Sequence, residues 1–429
     1  MQSGGSDEEP RPPQRPSRLG KCRNSNIATL VSKKIDQGNV RGAVQLLSSS
    51  DNIAEANLEN AAILRQKHPA RQYDMPPSPS APECLTVQEK VVSSYVMSFT
   101  NGSSGGLDGL RPQHLKDMIS CVPYGEQLLS TLTSFVNFVL GGGVPEEVRH
   151  VFFGANLIAF NKPDGGLRPI AAGNVLRRLV SKVAAAGVLN QVLPHLMPTQ
   201  VGCGVPRGAE AAVHAARKYL NQMEGDKVMV KLDFKNAFNM IRRDCMVHEV
   251  SKNCPALLGY VFAAYDVQSL LRFGAHSIAS STGVQQGDPL GLLLFAMALQ
   301  PSLNILNSEF KVAYLDDVTL AGPVETVVAD IGLIIASSQA IGLELNMAKC
   351  EIIGNADHMR AVTNLYPDMQ NVHRDNACLL GAALSAAATS PLLSMKVVEL
   401  KRMCRQLVLL DPYYYFMFSY YLLSINVNS

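Results

Sequence analysis

The chain contains no tryptophan, and aromatic residues make up only 6% of its 429 positions. Charged residues are sparse at 17%, and the formal net charge is +2. A balance so near neutrality excludes recognition of nucleic acid through bulk electrostatics, so any basic surface must be local. Cysteines at 22, 84, 121, 203, 245, 254, 350, 378 and 404 include no CxxC pair and no Cys/His cluster at zinc-ligand spacing. Reduced thiols are expected. No charged segment followed by an apolar one opens the chain, so secretion is not expected and an intracellular location, nucleus or cytoplasm, is. The most apolar tract, 407–425, keeps only fourteen residues after Asp411, which is short for a membrane span. A buried or truncated helix is expected there, with no membrane partner.

With 47% hydrophobic residues, the chain can bury a sizeable core and is expected to form more than one lobe. Residues 1–24 have the Pro, Ser and charge content of a disordered, basic-ended tail. Apolar residues then recur at near-helical spacing over 25–67, and 68–84 is a Pro-rich linker. A mostly helical block runs from Thr86 to about Leu140. "ANLIAFNKPDGGLRPIAAG" (155–173) reads as a hairpin turning at Pro163-Asp164-Gly165-Gly166. Beyond it, "KVMVKLDF", a helix, a long apolar helix near 289–306, a strand pair, a helix near 324–341 and "LELNMAKCEII" follow in approximate β-α-β-β-α-β order. That order predicts a split βαβ plan, an antiparallel sheet with helices on one face.

Asp316 and Asp317 stand side by side in "AYLDDVTLAG" (313–322), between apolar runs that read as strands up to Leu315 and from Val318. Tight turns favour Asn-Gly or Asp-Gly, and an Asp-Asp pair repels itself unless water or a cation compensates it. A solvated turn is the plain alternative. Asp233 closes the strand Val228 to Leu232, which the split βαβ plan lays beside that hairpin. Because side chains alternate along a strand, only one of the adjacent pair can share a centre with Asp233. Asp316 is the expected partner, with Asp317 supporting from behind. Converging carboxylates call for a hard divalent ion, and Mg²⁺ held by one or two carboxylates plus substrate phosphates suits two-metal phosphoryl or nucleotidyl transfer.

Lys162, Arg168, Arg177, Arg178 and Lys182 set five cations against Asp164 and are the expected phosphate grip, with a solvated face as the alternative. In "STGVQQGDPLG" (281–291), Gly287 lets a ligand approach the backbone at the start of a helix, although Gly-Asp-Pro is also an ordinary helix start.

Taken together, Asp233, "QQGDPLG" and "YLDD" resemble a reverse transcriptase, and the ordered set most resembles the non-LTR (LINE-type) retrotransposon enzymes. "SSGGLDGLRPQHLKDM", "KPDGGLRPIAAGNVLRRLVSK", "VGCGVPRGAEAAVHAARKY", "VKLDFKNAFNMIRRD", "GVQQGDPLGLLLFAMALQP", "AYLDDVTL", "GLELNMAKCEI" and "LLGAALS" carry the likeness over about 86–385. The resemblance implies an α+β right-hand polymerase: fingers at 85–204, palm at 205–385 with a fingers insertion near 242–280, and a thumb remnant or aberrant end at 386–429. It implies metal ligation by Asp233, Asp316, Asp317 and at Phe234, with two Mg²⁺ ions or Mn²⁺ in their place. Lys162 and Arg168 would grip the incoming deoxynucleoside triphosphate, and Phe238 would lie under its sugar and disfavour a 2′-hydroxyl. Gln286 and Gly287 would pack on the nascent base pair, and Lys349 would act near the leaving pyrophosphate, as a general acid. The implied partners are an RNA template and a DNA primer.

The family usually has Pro where this chain has Leu292, and often Ala where it has Leu315. The chain ends some 45 residues after "LLGAALS", so the thumb is expected to be largely missing. Two other readings use the same palm: a non-catalytic nucleic-acid-binding scaffold or inactive remnant, and a two-metal nucleotide cyclase. The 155–173 hairpin and "QQGDPLG" are not expected in a cyclase.

Overall fold

The strand-forming runs collect into two principal sheets in the computed structural model, which describes residues 22–48, 53–77, 84–162, 165–407 and 410–417. Residues 1–21 of the basic tail, part of the Pro-rich linker, Pro163-Asp164 of the hairpin turn and residues 408–409 and 418–425 of the apolar tract lie outside the described residues.

Strands β1 (Ala155–Asn161) and β2 (Leu167–Gly173) pair antiparallel in full register, from Ala155 opposite Gly173 to Asn161 opposite Leu167. Alternation buries Ala155, Leu157 and Ala159 on one face, where they join Ala61 and Leu64 of the helix Leu58–Lys67. Next in the chain comes β3 (Lys227–Leu232), which belongs to the other sheet. Strands β4 (Ser269–Phe273) and β5 (His276–Ser280) extend the first sheet, giving the order β2-β1-β4-β5 with β4 parallel to β1.

The second sheet adds β6 (Phe310–Tyr314), β7 (Asp317–Pro323), β8 (Glu351–Ile353) and β9 (Gln370–Val372), in the order β6-β7-β3-β8-β9. β3 lies between β7 and β8 and is antiparallel to both. One face is apolar, and on the other Met229 is fully buried between Lys227 and Lys231, so helices pack on both. This corrects the expectation of helices on one face. Val228, Val230 and Leu232 meet the main core, which includes the apolar helix Gly291–Asn304 and Ile331 and Ile334 of the helix Val324–Ala340. Met229 points the other way, onto Val213, Ala216 and Leu220 of the helix Gly208–Gln222. Lys227 and Lys231 flank Met229 on that face and pair with Glu309 and Glu351.

The fully buried Asp330 ties the helix Val324–Ala340 to the start of β6. Its carboxylate accepts from the Asn307 and Ser308 N–H groups and from the Ser308 hydroxyl at 2.6–2.9 Å. These charge-assisted bonds replace water around a carboxylate that has no cation among its hydrogen-bond donors.

The described residues between 53 and 396 form one compact unit, and those of 22–48 with those from 397 to 417 form another. In the smaller unit, helices Cys22–Asp36 and Val40–Ser48 bury Val31, Ile35, Ala43 and Leu47 against Met403, Leu407 and Leu410. The helical stretch 25–67 therefore divides, because the helix Leu58–Lys67 belongs to the larger unit. Among the described residues, no helix is long and apolar enough to cross a membrane.

Candidate active site

Register places the central carboxylates. β6 and β7 pair from Phe310 opposite Ala321 to Tyr314 opposite Asp317, so the turn residues are Leu315 and Asp316 and Asp317 already belongs to β7. The sequence reading, with Asp316 and Asp317 together in the turn, is thus one residue out. The shift depends on Leu315, which adopts a left-handed φ of 59°, unfavourable for a branched side chain. Buried Gln200 holds it there: its Oε1 accepts the Leu315 N–H at 2.7 Å and its Nε2 donates to the Leu315 carbonyl at 3.2 Å. Gly202 comes so close that a Cβ on it would stand 2.5 Å from the Leu315 nitrogen.

Asp233 follows β3 and is held by its main chain. The Asn346 N–H donates to its carbonyl at 2.7 Å, and the Lys235 N–H donates to Glu344 at 2.8 Å. These two bonds pair Phe234 with Leu345 while leaving the Phe234 carbonyl outside the pairing. With its ring buried, that carbonyl is the only ligand atom Phe234 can offer.

A pocket of about 440 Å³ gathers Asp233, Asp316, Phe234, Phe238, Lys162, Arg168, Gln286 and Lys349. A second, of about 310 Å³, is lined by Asp233, Asp317, Lys349 and Lys231, among others. Asp233 and Lys349 therefore stand between the two, with Asp316 on one side and Asp317 on the other. Gly287 lines neither pocket; a Cβ there would come within 2.4 Å of the Ala171 carbonyl, so it permits close approach of loop to strand. The Gln286 carbonyl accepts from the Ala171 N–H at 2.6 Å, which attaches this loop to β2.

The three carboxylates sense one another. Burial, then Asp317 and Asp233, push the Asp316 carboxyl up to about 6, and Lys162 opposes the rise. Among the described residues, no three His, Cys, Asp or Glu side chains meet in the geometry of a protein-only metal site. What is present is an oxygen-only donor set whose negative charge Lys162 and Lys231 offset only in part, which fits a hard divalent ion completed by carbonyl, water and phosphate oxygens.

The cation-rich stretch after the hairpin does not behave as one group. Arg177 is buried, and its guanidinium pairs with Asp288 at 2.7 Å and also donates to Gln285 and the Phe153 carbonyl. It braces the loop from inside and is not a phosphate ligand. Arg178 and Lys182 line neither pocket and sit against the Phe99 ring. Only Lys162 and Arg168 of the five reach the pocket.

Sequence reading missed three contributors. Lys67, from the far end of the helix Leu58–Lys67, lines the pocket, and its carbonyl accepts from Asn236 at 2.7 Å. Asn236, with a φ of 50°, carried a local signal, since asparagine tolerates the left-handed region. Gln200 carried none. Gln200→Leu is expected to leave both polar groups of Leu315 without their partner, costing about 1–3 kcal/mol locally. Amide exchange at Leu315 should then quicken by roughly one to two orders of magnitude. Unchanged exchange would show that the turn holds itself.

Residues 160–375, half of the chain, match the family model described as reverse transcriptase (RNA-dependent DNA polymerase). The chain is 27% identical over 276 residues to the retrotransposable element SLACS 132 kDa protein of Trypanosoma brucei gambiense, covering 62% of this chain and 23% of that protein. It is 25% identical over 289 residues to the retrovirus-related Pol polyprotein from type-1 retrotransposable element R2 of Bradysia coprophila, covering 63% of this chain and 31% of that one. The chain therefore spans less than a third of the length of either relative. Both of these relatives come from retrotransposable elements, and with half of its residues inside that family model the chain belongs to the reverse transcriptase family.

Proposed function

We propose that the chain is an RNA-directed DNA polymerase that adds deoxynucleotides to a DNA primer paired with an RNA template. One observation carries this reading: Asp233 and Asp316 line a single pocket together with Lys162, Arg168 and Lys349. Carboxylates and cations gathered in one pocket suit a metal-bound nucleoside triphosphate, whose phosphates the cations can hold. The second sheet corresponds to a palm. The first, with the helices around it, corresponds to fingers, with 85–204 continued by an insertion near 242–280. Pairing of β4, inside that insertion, with β1 supports this division.

Asp233, Asp316 and the Phe234 carbonyl would hold divalent ions, with Asp317 assisting from the neighbouring pocket. Mg²⁺ is the natural ion for such donors, and Mn²⁺ has the same preference for oxygen. When bound, the two ions lower the pKa of the primer hydroxyl and neutralise the triphosphate. Lys162 and Arg168 orient the phosphates, Gln286 packs on the nascent pair, and Phe238 supports the sugar. Lys349, which reaches both pockets, donates a proton toward the departing pyrophosphate.

Purified protein, an RNA template with an annealed DNA primer and single deoxynucleotides test this reading. Extension should follow the template base, require Mg²⁺ or Mn²⁺ and stop in EDTA. Retained primer-template binding with no extension in either metal would instead identify a nucleic-acid-binding scaffold.

A further inference from the structure

Arg243 opens the helix Arg243–Asn253, and its guanidinium is fully buried, at 0% exposure. All six of its hydrogen bonds go to uncharged oxygens. Nε donates to the Gly283 carbonyl at 3.0 Å, and Nη1 to the Tyr265 and Val267 carbonyls at 3.2 and 3.3 Å. Nη2 donates to the carbonyl and hydroxyl of Ser280, both at 3.0 Å, and to the Thr282 carbonyl at 3.3 Å. Burying a guanidinium with no carboxylate partner is costly unless all its donors are satisfied. A fully satisfied polar network of this kind fixes the groups it binds. Burial draws this guanidinium down to about 10, so it remains cationic at neutral pH.

What it binds is the chain running from the end of β5 into the Gln286 loop. That same segment sets the position of Phe238. The Val284 N–H donates to the Phe238 carbonyl at 2.7 Å, and the Gly283 N–H donates to Ile241 at 2.9 Å. The Thr282 hydroxyl donates to the Asn239 carbonyl at 2.8 Å. Gly283, with a φ of 64°, lies so close that a Cβ would meet the Phe238 carbonyl oxygen at 2.3 Å. Phe238 in turn stacks on Phe295 with ring centroids 4.5 Å apart and lines the nucleotide pocket.

We propose that Arg243 is a positioning residue for sugar discrimination: by holding the main chain at Ser280–Gly283, it fixes the spacing of Phe238 and Gln286 beneath the incoming nucleotide. The proposal rests on the reading of Phe238 as the residue under the sugar. Arg243 touches no substrate. Lysine in its place keeps the charge but cannot reach carbonyls on the β5 end, the Gly283 loop and the 265–267 turn at once.

The test is single-nucleotide incorporation with a deoxynucleotide and the matching ribonucleotide, for the wild type, Arg243→Lys, Thr282→Val, Phe238→Val and Asp330→Asn. Asp330→Asn weakens a buried network that lines neither pocket and controls for loss of folded enzyme. Arg243→Lys should raise KM for the deoxynucleotide more than it lowers kcat. It should also cut the ratio of deoxynucleotide to ribonucleotide efficiency by roughly 10- to 100-fold, the effect of a misplacement near 1 Å. Thr282→Val, nearly isosteric, should shift the ratio the same way to a smaller extent and decides the matter where the arginine variant does not fold. Asp330→Asn should lower both efficiencies in parallel. An unchanged ratio in Arg243→Lys, or in Thr282→Val where that variant decides, overturns the proposal while leaving the polymerase reading intact. An unchanged ratio in Phe238→Val overturns the sugar-gate reading and the proposal with it. Absence of any incorporation by the wild type overturns the polymerase reading itself.

Discussion

Asparagine in place of Asp316 is expected to reduce RNA-templated extension by at least about 10³-fold, the several kcal/mol that metal-held charge stabilisation supplies. The same change is expected to make the metal-free protein more stable. Burial, then the neighbouring Asp317 and Asp233, raises the Asp316 carboxyl to about 6, so at neutral pH it is mostly ionised at a cost to the folded state. Asparagine keeps the shape and removes one charge from the repelling set. A gain of about 1 kcal/mol, or roughly 2–4 °C in Tm, follows from relieving one such repulsion. Thermal melts in EDTA and in Mg²⁺ separate the two effects. Mg²⁺ should raise the wild-type Tm by binding the folded state and do much less for the variant. A lower Tm for Asp316→Asn in EDTA would mean that the carboxylate is held by bonds that outweigh its repulsion.

The second large effect concerns stability. Arg177 and Asp288 form an ion pair at 2.7 Å with side-chain exposures of 1% and 3%, and Asp288 also accepts the Tyr265 hydroxyl at 2.9 Å and the Leu290 N–H at 3.1 Å. Removing one partner leaves a buried charge with nothing to compensate it. Arg177→Met and Asp288→Leu are each expected to cost about 3–5 kcal/mol. The double variant should cost less than the sum, by about 1–3 kcal/mol, because the second change removes the charge that the first left stranded. The chain has no tryptophan, so far-UV circular dichroism in urea is the convenient readout. Additive costs would show that the two side chains stabilise the protein independently. Activity should fall as well, since Gln285 and Asp288 flank the Gln286 loop that Arg177 braces.

The buried pair also shows the limit of reading this chain from its sequence. By sequence Arg177 groups with Arg168 and Arg178, because a cation in a basic stretch resembles a phosphate ligand whichever way it points. Its partner lies 111 residues away, and no local periodicity reports such a contact. The one-residue shift of the Asp316 turn has a similar origin. Apolar alternation predicts a hairpin, but its register depends on Gln200, a side chain from a separate loop that holds Leu315 in a conformation leucine otherwise avoids.

The order of elements, the carboxylate at the end of a strand, the acidic hairpin and the glycine-bearing loop are legible in the residues, because strand alternation, turn composition and helix starts are local properties of the chain. Packing of distant segments sets which cations reach the pocket, brings Lys67 into it from a distant helix, and puts Asp316 and Asp317 in separate pockets that share Asp233. It also decided that two buried arginines, Arg177 and Arg243, brace the loop between them. Burial turns a residue from a solvated charge into a structural brace, and burial depends on which distant segments fold against it.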